Sequence, residues 1–359
     1  MGLEDGRNDK EGEYTMKNHL ISQDISLLEA LSVICGLAPE PLVLFVLNDK
    51  NQMVGTLTDG DSRRALINGA SVSDKVKNIM HLNFNYMKVE DLENVKEIKR
   101  QRELKMKLIP VLDGEMHIVE IINLESHKTR LPIDAVLMAG GKGERLRPLT
   151  ETTPKPLLKV GDKCIIDHNI DRLIDYGVKH ISVTVNYLKE QIEEHFAEPR
   201  GEVQVKTVRE PKFLGTIGSV KFVEKYYNDT VLVMNSDLFT NINYEDFFLY
   251  FQQHDAEMLL AAIPYDISIP YGILDLNGHD IHGLIEKPKF NYYANAGIYL
   301  IKRRALDEIP EDTFFNATDL VEKLIAEKKK VVRYPLVGYW IDIGNPNEYY
   351  KACEMAKHI

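Results

Sequence analysis

The spacing of apolar positions divides this chain near Lys128-Thr-Arg-Leu-Pro132. Before that point two similar units follow one another, each reading strand, helix, strand, strand. In the first, Ser26 precedes a helix with apolar positions at Leu27, Leu28, Leu31 and Ile34. The continuous apolar run 42–47 predicts a strand, paired with 52–58 through the turn Asn48-Asp-Lys-Asn51, and a second helix follows over 61–67. In the second unit, 92–102 reads as the helix, and Leu108–Leu112 and 116–122 as strands joined at Asp113-Gly114. From Ile133 the pattern alternates. Strands are predicted over 133–139, His180–Val185, 203–208 and 230–234, with helices over 167–176, 188–196, from about Ile217, and from Tyr244. This βαβ order predicts an α/β domain whose mostly parallel sheet is covered on both faces, with ligands beyond the carboxyl ends of its strands. After Glu257 the strands shorten (272–276, Asp280–Ile285, 296–301), which suggests a substrate lobe, and a last strand over 331–339 leads into Trp340-Ile-Asp-Ile-Gly344.

Composition narrows the setting. With 359 residues, 44% of them hydrophobic, the chain has the material for two ordinary soluble domains, expected at 16–128 and 129–359. Residues 1–15 are polar, contain no apolar core of a signal peptide, and read as a disordered extension. No apolar run reaches transmembrane length. Cys35, Cys164 and Cys353 are distant in sequence and odd in number, which fits a reducing, cytoplasmic location and no metal cluster. The net charge of −11 argues against non-specific nucleic-acid binding. An acidic chain that binds polyphosphate must gather its cations at one place.

The run from Leu137 to Pro156 does this. Ala139 ends an apolar strand. Gly140, Gly141 and Gly143 lack Cβ atoms, so backbone N–H groups can converge on an anion. Arg145 adds a planar fork for phosphate oxygens, and Lys155, between two prolines, a point charge in a stiff loop. A P-loop would need Ser or Thr where Gly143 stands, a dinucleotide fingerprint a glycine where Leu146 stands, and a protein kinase an HRD-type loop. Asp237 leaves the strand end Asn235-Ser-Asp237, and Asp342 follows the last strand; two carboxylates with phosphate oxygens and waters suit Mg²⁺, though each aspartate would equally serve as a cap.

The string Gly-Gly-x-Gly-x-Arg-Leu-x-Pro-Leu-Thr-x-x-x-Pro-Lys-Pro, from Gly140 to Pro156, resembles the signature of the sugar-1-phosphate nucleotidyltransferases. The likeness covers about two-thirds of the chain and implies a Rossmann-like, mostly parallel domain with Asp237 and Asp342 as its two metal aspartates. Glu144 stands where the family usually has Thr, a variant found among relatives assigned to guanylyl transfer. Glu210-Pro-Lys-Phe-Leu-Gly-Thr-Ile-Gly218 resembles the family loop under the nucleotide, which would put Gly215 and Thr216 at the base and lets Glu210 accept from guanine. Pro270-Tyr-Gly-Ile273, Glu286-Lys-Pro288 and Asn295-Ala-Gly-Ile-Tyr299 follow in the family's order, implying Gly272, Glu286 and Asn295 on sugar hydroxyls and Lys287 on the sugar phosphate. The resemblance therefore implies an enzyme that uses Mg²⁺, an NTP (GTP favoured) and a sugar 1-phosphate of the mannose or glucosamine kind, as a homo-oligomer. A phosphocholine-type cytidylyltransferase stays open through Tyr292 and Tyr293, which would belong to an aromatic cage. A non-catalytic nucleotide sensor would be expected to lack Arg145, Lys155, Asp237 or Asp342. The hexapeptide repeats of some family members are absent from this sequence.

The N-terminal repeats resemble a tandem CBS module, carried by Val54-Gly-Thr-Leu-Thr-Asp-Gly-Asp-Ser-Arg-Arg64. That implies Thr58 on a phosphate and Asp61 on the ribose of an adenine nucleotide, although both residues also suit the cap of the following helix. The second repeat departs from the pattern, with Asn123 and Ser126 in the matching places, so at most one such site is expected.

Overall fold

The computed structural model describes residues 18–92, 94–125 and 129–358. The extension expected over 1–15, Ser126 and the boundary residue Lys128 lie outside them. The chain gathers into two compact units, Met1–Arg130 and Leu131–Ile359.

The first unit holds two three-stranded sheets of the same construction. Leu20–Ser22 runs parallel to Val43–Leu47, which pairs antiparallel with Met53–Thr58. Met87–Lys88 runs parallel to Leu108–Leu112, which pairs antiparallel with Ile118–Asn123. Helix Leu27–Gly36 starts at a capping box between Ser26 and Glu29 and buries Leu27, Ala30 and Ile34 against Leu44, Val46 and Leu57. The repeats share a core of Phe45, Met53, Leu108 and Leu112, and the Met53 N–H donates to Met116 O at 2.8 Å. Neither repeat could bury its sheet face alone.

The second unit is built on seven strands, numbered here within the unit: β1 Asp134–Met138, β2 His180–Val185, β3 Lys206–Arg209, β4 Thr230–Asn235, β5 Met258–Ser268, β6 Lys289–Lys302 and β7 Val331–Pro335. Their order is β3-β2-β1-β4-β6-β5-β7. The first four are parallel, β6 is antiparallel to β4 and β5, and β7 is parallel to β5. Strands β1 and β4 are apolar at consecutive positions because they are covered on both faces: Ala135, Val136, Leu137 and Val231 to Met234 are all buried. On one face, Leu320 and Leu324 of helix Ala317–Ala326 pack on Val136, Val231, Val233 and Ile301.

Several expectations need correction. The helix from Ile217 is a short 3₁₀ turn, Gly218–Phe222, because the N–H groups of Ile217 and Gly218 both bond Phe315 O across the chain. Strand β3 starts at Lys206, since Val203 is bonded to Arg200 in a local bridge. The strand expected over 331–339 ends at Pro335, and a separate one, Trp340–Asp342, pairs with Leu238–Thr240. The strands after Glu257 are not all short: β5 has 11 residues and β6 has 14. Their far ends, past Ile263 and Ala294, pair only with each other and form a two-stranded arm. Ile273–Asn277 and Asp280–Ile285 prolong it.

Candidate active site

Strands β1 to β4 deliver their carboxyl ends to one cavity of about 660 Å³. Ala139 and the glycine turn follow β1, Asn186 follows β2, Glu210 follows β3, and Ser236 and Asp237 follow β4. The turn is held from several sides. The Ala139 N–H donates to Thr184 O at 2.9 Å. Gly143 is left-handed, with φ of 63°, and its carbonyl accepts from the Thr150 hydroxyl at 2.8 Å. A Cβ on Gly140 would lie 2.8 Å from the Glu210 carboxylate, so glycine is what lets that acid rest against the turn. Gly141, Arg145 and Lys155 complete the cationic side of the lining.

The two aspartates are brought together by the short pairing of Leu238–Thr240 with Trp340–Asp342, in which Leu238 lies opposite Asp342. The Ile343 N–H also donates to Asp237 O at 3.2 Å. Lys155, 9% exposed, forms an ion pair with Asp237 and lies 3.9 Å from Asp342. Burial pushes the Asp342 carboxyl above the ordinary carboxylate range, and the Asp237 charge adds to it. Asp237 Oδ1 is buried with no hydrogen-bond partner among the described residues. Lys155 and Arg145 both act on the Asp342 carboxylate, yet the Asp237 oxygen between the strand ends stays orphaned. Hard divalent cations fit such oxygens.

Glu210 is 6% exposed, and burial raises its carboxyl; the Asn186 amide donates to it at 3.4 Å. Gly215, with φ of 80°, would place a Cβ 2.6 Å from Phe315 O. Beside it the Thr216 N–H donates to Asn316 Oδ1 at 3.2 Å, and the Thr216 hydroxyl accepts from the Ala317 N–H at 2.9 Å. Gly215 and Thr216 are thus locked to the start of helix Ala317–Ala326, and both line the cavity.

The residues assigned to sugar are not gathered there. Gly272, Glu286 and Lys287 are exposed on the arm, and none lines the cavity. Glu286 and Gly272 are neighbours, since a Cβ on Gly272 would lie 3.0 Å from Glu286 Oε2. Asn295, at the base of the arm, donates to the Tyr299 hydroxyl at 2.8 Å and accepts from the Gly297 N–H at 3.0 Å. Gly297 in turn packs on Asn235, a cavity residue. Asn186 and Asn235 were not singled out from the sequence, although both sit at strand ends where β1 and β3 had already pointed. Phe213, on the cavity lip beside Phe314, carried no sequence signal.

In the first unit, the Thr58 N–H and hydroxyl donate to Asp61 Oδ2 at 2.9 and 2.6 Å, and Arg64 donates to Oδ1 at 2.6 Å. Thr58 also borders a hollow of about 530 Å³ with Pro39, Pro41, Lys107 and Leu108. Asn123 accepts from the Glu125 N–H at 3.0 Å. Elsewhere the three cysteines are all free, and Cys164 lies near Asp167 and His195, with ligand atoms within 4.8 Å of one another. Arg200 already supplies the positive charge there, bonding Asp167 at 2.6 Å.

The sequence model of one family, described as nucleotidyl transferase, matches residues 134–358. A mannose-1-phosphate guanylyltransferase catalytic subunit beta from Danio rerio is 30% identical over 227 residues, covering 60% of this chain and 62% of that protein. The bifunctional protein GlmU of Methanococcus maripaludis is 32% identical over 225 residues, covering 60% and 52%. Among solved structures, HddC from Yersinia pseudotuberculosis matches with a TM-score of 0.50 at 26% identity, over 62% of this chain and 98% of that one. The chain spans less than two thirds of the length of the curated relatives it matches.

Proposed function

The chain belongs to the nucleotidyl transferase family, and on that premise we propose that it transfers a nucleotidyl group from an NTP, GTP before others, to a sugar 1-phosphate of the mannose or glucosamine kind. The observation that carries this reading is the cluster of Lys155, Asp237 and Asp342 beside the glycine turn. The sugar-phosphate oxygen is already an anion at neutral pH, so no base and no covalent residue is required. It attacks the α-phosphorus in line; that P–O bond forms, the bond to the β-phosphate bridging oxygen breaks, and pyrophosphate leaves with the electron pair. What the protein supplies is position and charge. Ala139, Gly140, Gly141 and Gly143 cradle the phosphates, Arg145 holds the leaving pyrophosphate, and Lys155 serves the α-phosphate. Lys287 takes the incoming phosphate, which requires the arm and the cavity to meet around substrate. The Asp237 and Asp342 carboxylates fit Mg²⁺, which when bound adds neutralisation of phosphate charge. Losing one of the three cations is expected to slow turnover on the order of 10²–10³.

GTP is favoured because Glu210 presents a buried acceptor beside Asn186 at the cavity wall. The cytidylyltransferase alternative loses support. Adjacent strand residues point to opposite faces, and Tyr293 already carries the Arg333 guanidinium 3.8 Å from its ring centre, so Tyr292 and Tyr293 do not form one cage. No helix among the described residues is long and apolar enough to cross a membrane; the cytoplasmic setting we propose rests on the three free, separated cysteines. The repeats of the first unit are read as a CBS pair with one adenine-nucleotide site at Thr58 and Asp61. The deciding experiment is a panel of NTPs against sugar 1-phosphates, read by pyrophosphate release with and without Mg²⁺. Release with GTP and a hexose 1-phosphate is expected; none with any pair would overturn the assignment.

A further inference from the structure

The loop that carries Glu210 and Gly215 is tied to a second segment along its length. Lys212 Nζ lies 3.0 Å from Asp312 Oδ2. The Phe315 N–H donates to Leu214 O at 2.9 Å, and the N–H groups of Ile217 and Gly218 return to Phe315 O at 3.1 and 3.2 Å. This zipper sets two phenylalanines side by side. The rings of Phe213 and Phe314 have centroids 5.8 Å apart and planes tilted by 59°, within the range at which aromatic pairs attract. Phe213 lines the cavity and Phe314 does not, so Phe314 stands behind it. Both are more than half exposed, by 57% and 54%. Phe213 is also the one aromatic side chain among the described residues that line the cavity. A ring on a loop pinned at both ends, backed by a second ring and open toward a cavity, is held in place without being covered.

We propose that the Phe213 ring is the platform on which the nucleobase stacks, with Phe314 as its positioning residue, and that the platform favours a purine. The inference rests on the nucleotidyl-transfer reading and goes beyond it, since that reading takes the base only by its edge, at Glu210. An acceptor in the plane of a base selects that edge but leaves both π-faces in water. Phe213 stands between Glu210 and Gly215 in the chain, on the stretch of wall that a base reaching Glu210 must pass. The rest of the lining offers such a ring little. Gly140, Gly141, Arg145, Lys155 and Asp237 suit phosphates and a cation. A two-ring purine covers more of a phenyl face than a one-ring pyrimidine does, so stack and edge contact select the same base. The base is also remote from the reacting phosphorus. Stacking is therefore equal in ground state and transition state, and it lowers KM without changing kcat.

The test compares the full chain as wild type, Phe213→Leu and Phe213→Trp. The readouts are pyrophosphate release and calorimetry with GTP, CTP and inorganic tripolyphosphate, which has no base. A nucleotide site in the first unit would not respond to Phe213. Phe213→Leu is expected to raise both KM and Kd for GTP at least about fivefold, the size of a lost base–aromatic stack, with kcat within about twofold of wild type. CTP is expected to lose less, tripolyphosphate nothing, and Phe213→Trp is expected to bind GTP at least as well as wild type. Phe314→Leu should shift KM in the same direction by a smaller factor. GTP affinity indifferent to Phe213→Leu overturns the proposal and leaves the transfer reading standing if turnover persists. An equal loss of tripolyphosphate also overturns it, because the loop would then have lost its shape. An equal loss of CTP overturns the purine preference. If wild type releases no pyrophosphate from any NTP, the transfer reading fails and calorimetry alone decides: GTP binding that depends on Phe213 supports the platform, and binding that does not, or none at all, overturns it.

Discussion

Asp342 and Glu210 are both carboxyls raised by burial, and their neighbours give them different work. Asp342 faces a second carboxylate, a lysine already engaged by it, and Arg145, a setting that suits a further cation. Asp342→Asn is expected to remove two or more orders of magnitude of Mg²⁺-dependent pyrophosphate release, with circular dichroism unchanged; equal turnover in the variant would remove the metal role. Glu210 has an amide beside it and a nucleobase-sized space before it. Because its folded pKa is raised, its contribution to ligand-free stability is full below the unfolded pKa and is lost as pH rises through the folded value. Glu210→Gln should therefore melt higher than wild type above neutral pH and lose that advantage in acid. The same change should cost GTP roughly tenfold or more in kcat/KM relative to other NTPs, since a hydrogen bond to a charged group is worth about 1.5–3 kcal/mol. Thermal melts across pH and an NTP competition series check the two halves separately.

Among elements, loops rather than strands decide the shape of the cavity. Gly215 combines a φ of 80° with a close approach to Phe315 O. Gly215→Ala is expected to destabilise by about 1–3 kcal/mol, a fall of roughly 2–10 °C in Tm for a unit of this size; an unchanged melt would show that the 314–317 segment yields freely. The same contact explains what the sequence did and did not reveal. Strand ends could be read where apolar runs stop at polar or glycine residues: Asp134 to Met138 leads to the glycine turn and Val231 to Met234 to Asp237, whereas Arg145, Lys155 and Asp342 come from the family resemblance. The turn after Gly215 reads as a helix in the sequence, but its N–H groups bond a carbonyl about a hundred residues away, which no local pattern reports. The arm was read as scattered short strands because Pro270, Pro288 and Asn277-Gly278 punctuate it. The alternation of Tyr265 with Ile267 and of Phe290 with Tyr292 was present throughout, but alternation alone cannot tell a face turned to the core from one turned outward.

For the whole molecule, the question is what the first unit adds to the second. The division near Pro132 was visible in sequence as a change from repeated strand–helix–strand units to a βαβ series, whereas the ligand state of the repeats was not, because Thr58 and Asp61 can satisfy each other. Burial pushes the Asp61 carboxyl upward, but the bonds from Thr58 and Arg64 outweigh it and hold it below the ordinary range. Its cap therefore stabilises the unit above the unfolded carboxyl pKa, and that stability fades as pH falls through the folded one. A ribose binding here must share Asp61 with that cap, so the charge rather than the cap should be varied. Asp61→Asn keeps an acceptor for the helix and removes the charge-assisted bonds to a cis-diol. Calorimetry of the full chain with AMP or ATP is expected to show one site per chain, because the second repeat has Asn123 already accepting from Glu125. Asp61→Asn should weaken that site at least about tenfold, or roughly 1.4 kcal/mol, and should lower the melting temperature modestly at neutral pH, a difference that closes in acid. Under the proposed function GTP also binds at the other unit's cavity, so the adenine titration is the informative one. Two equal adenine sites, or no heat from either nucleotide, would leave the first unit without the proposed ligand.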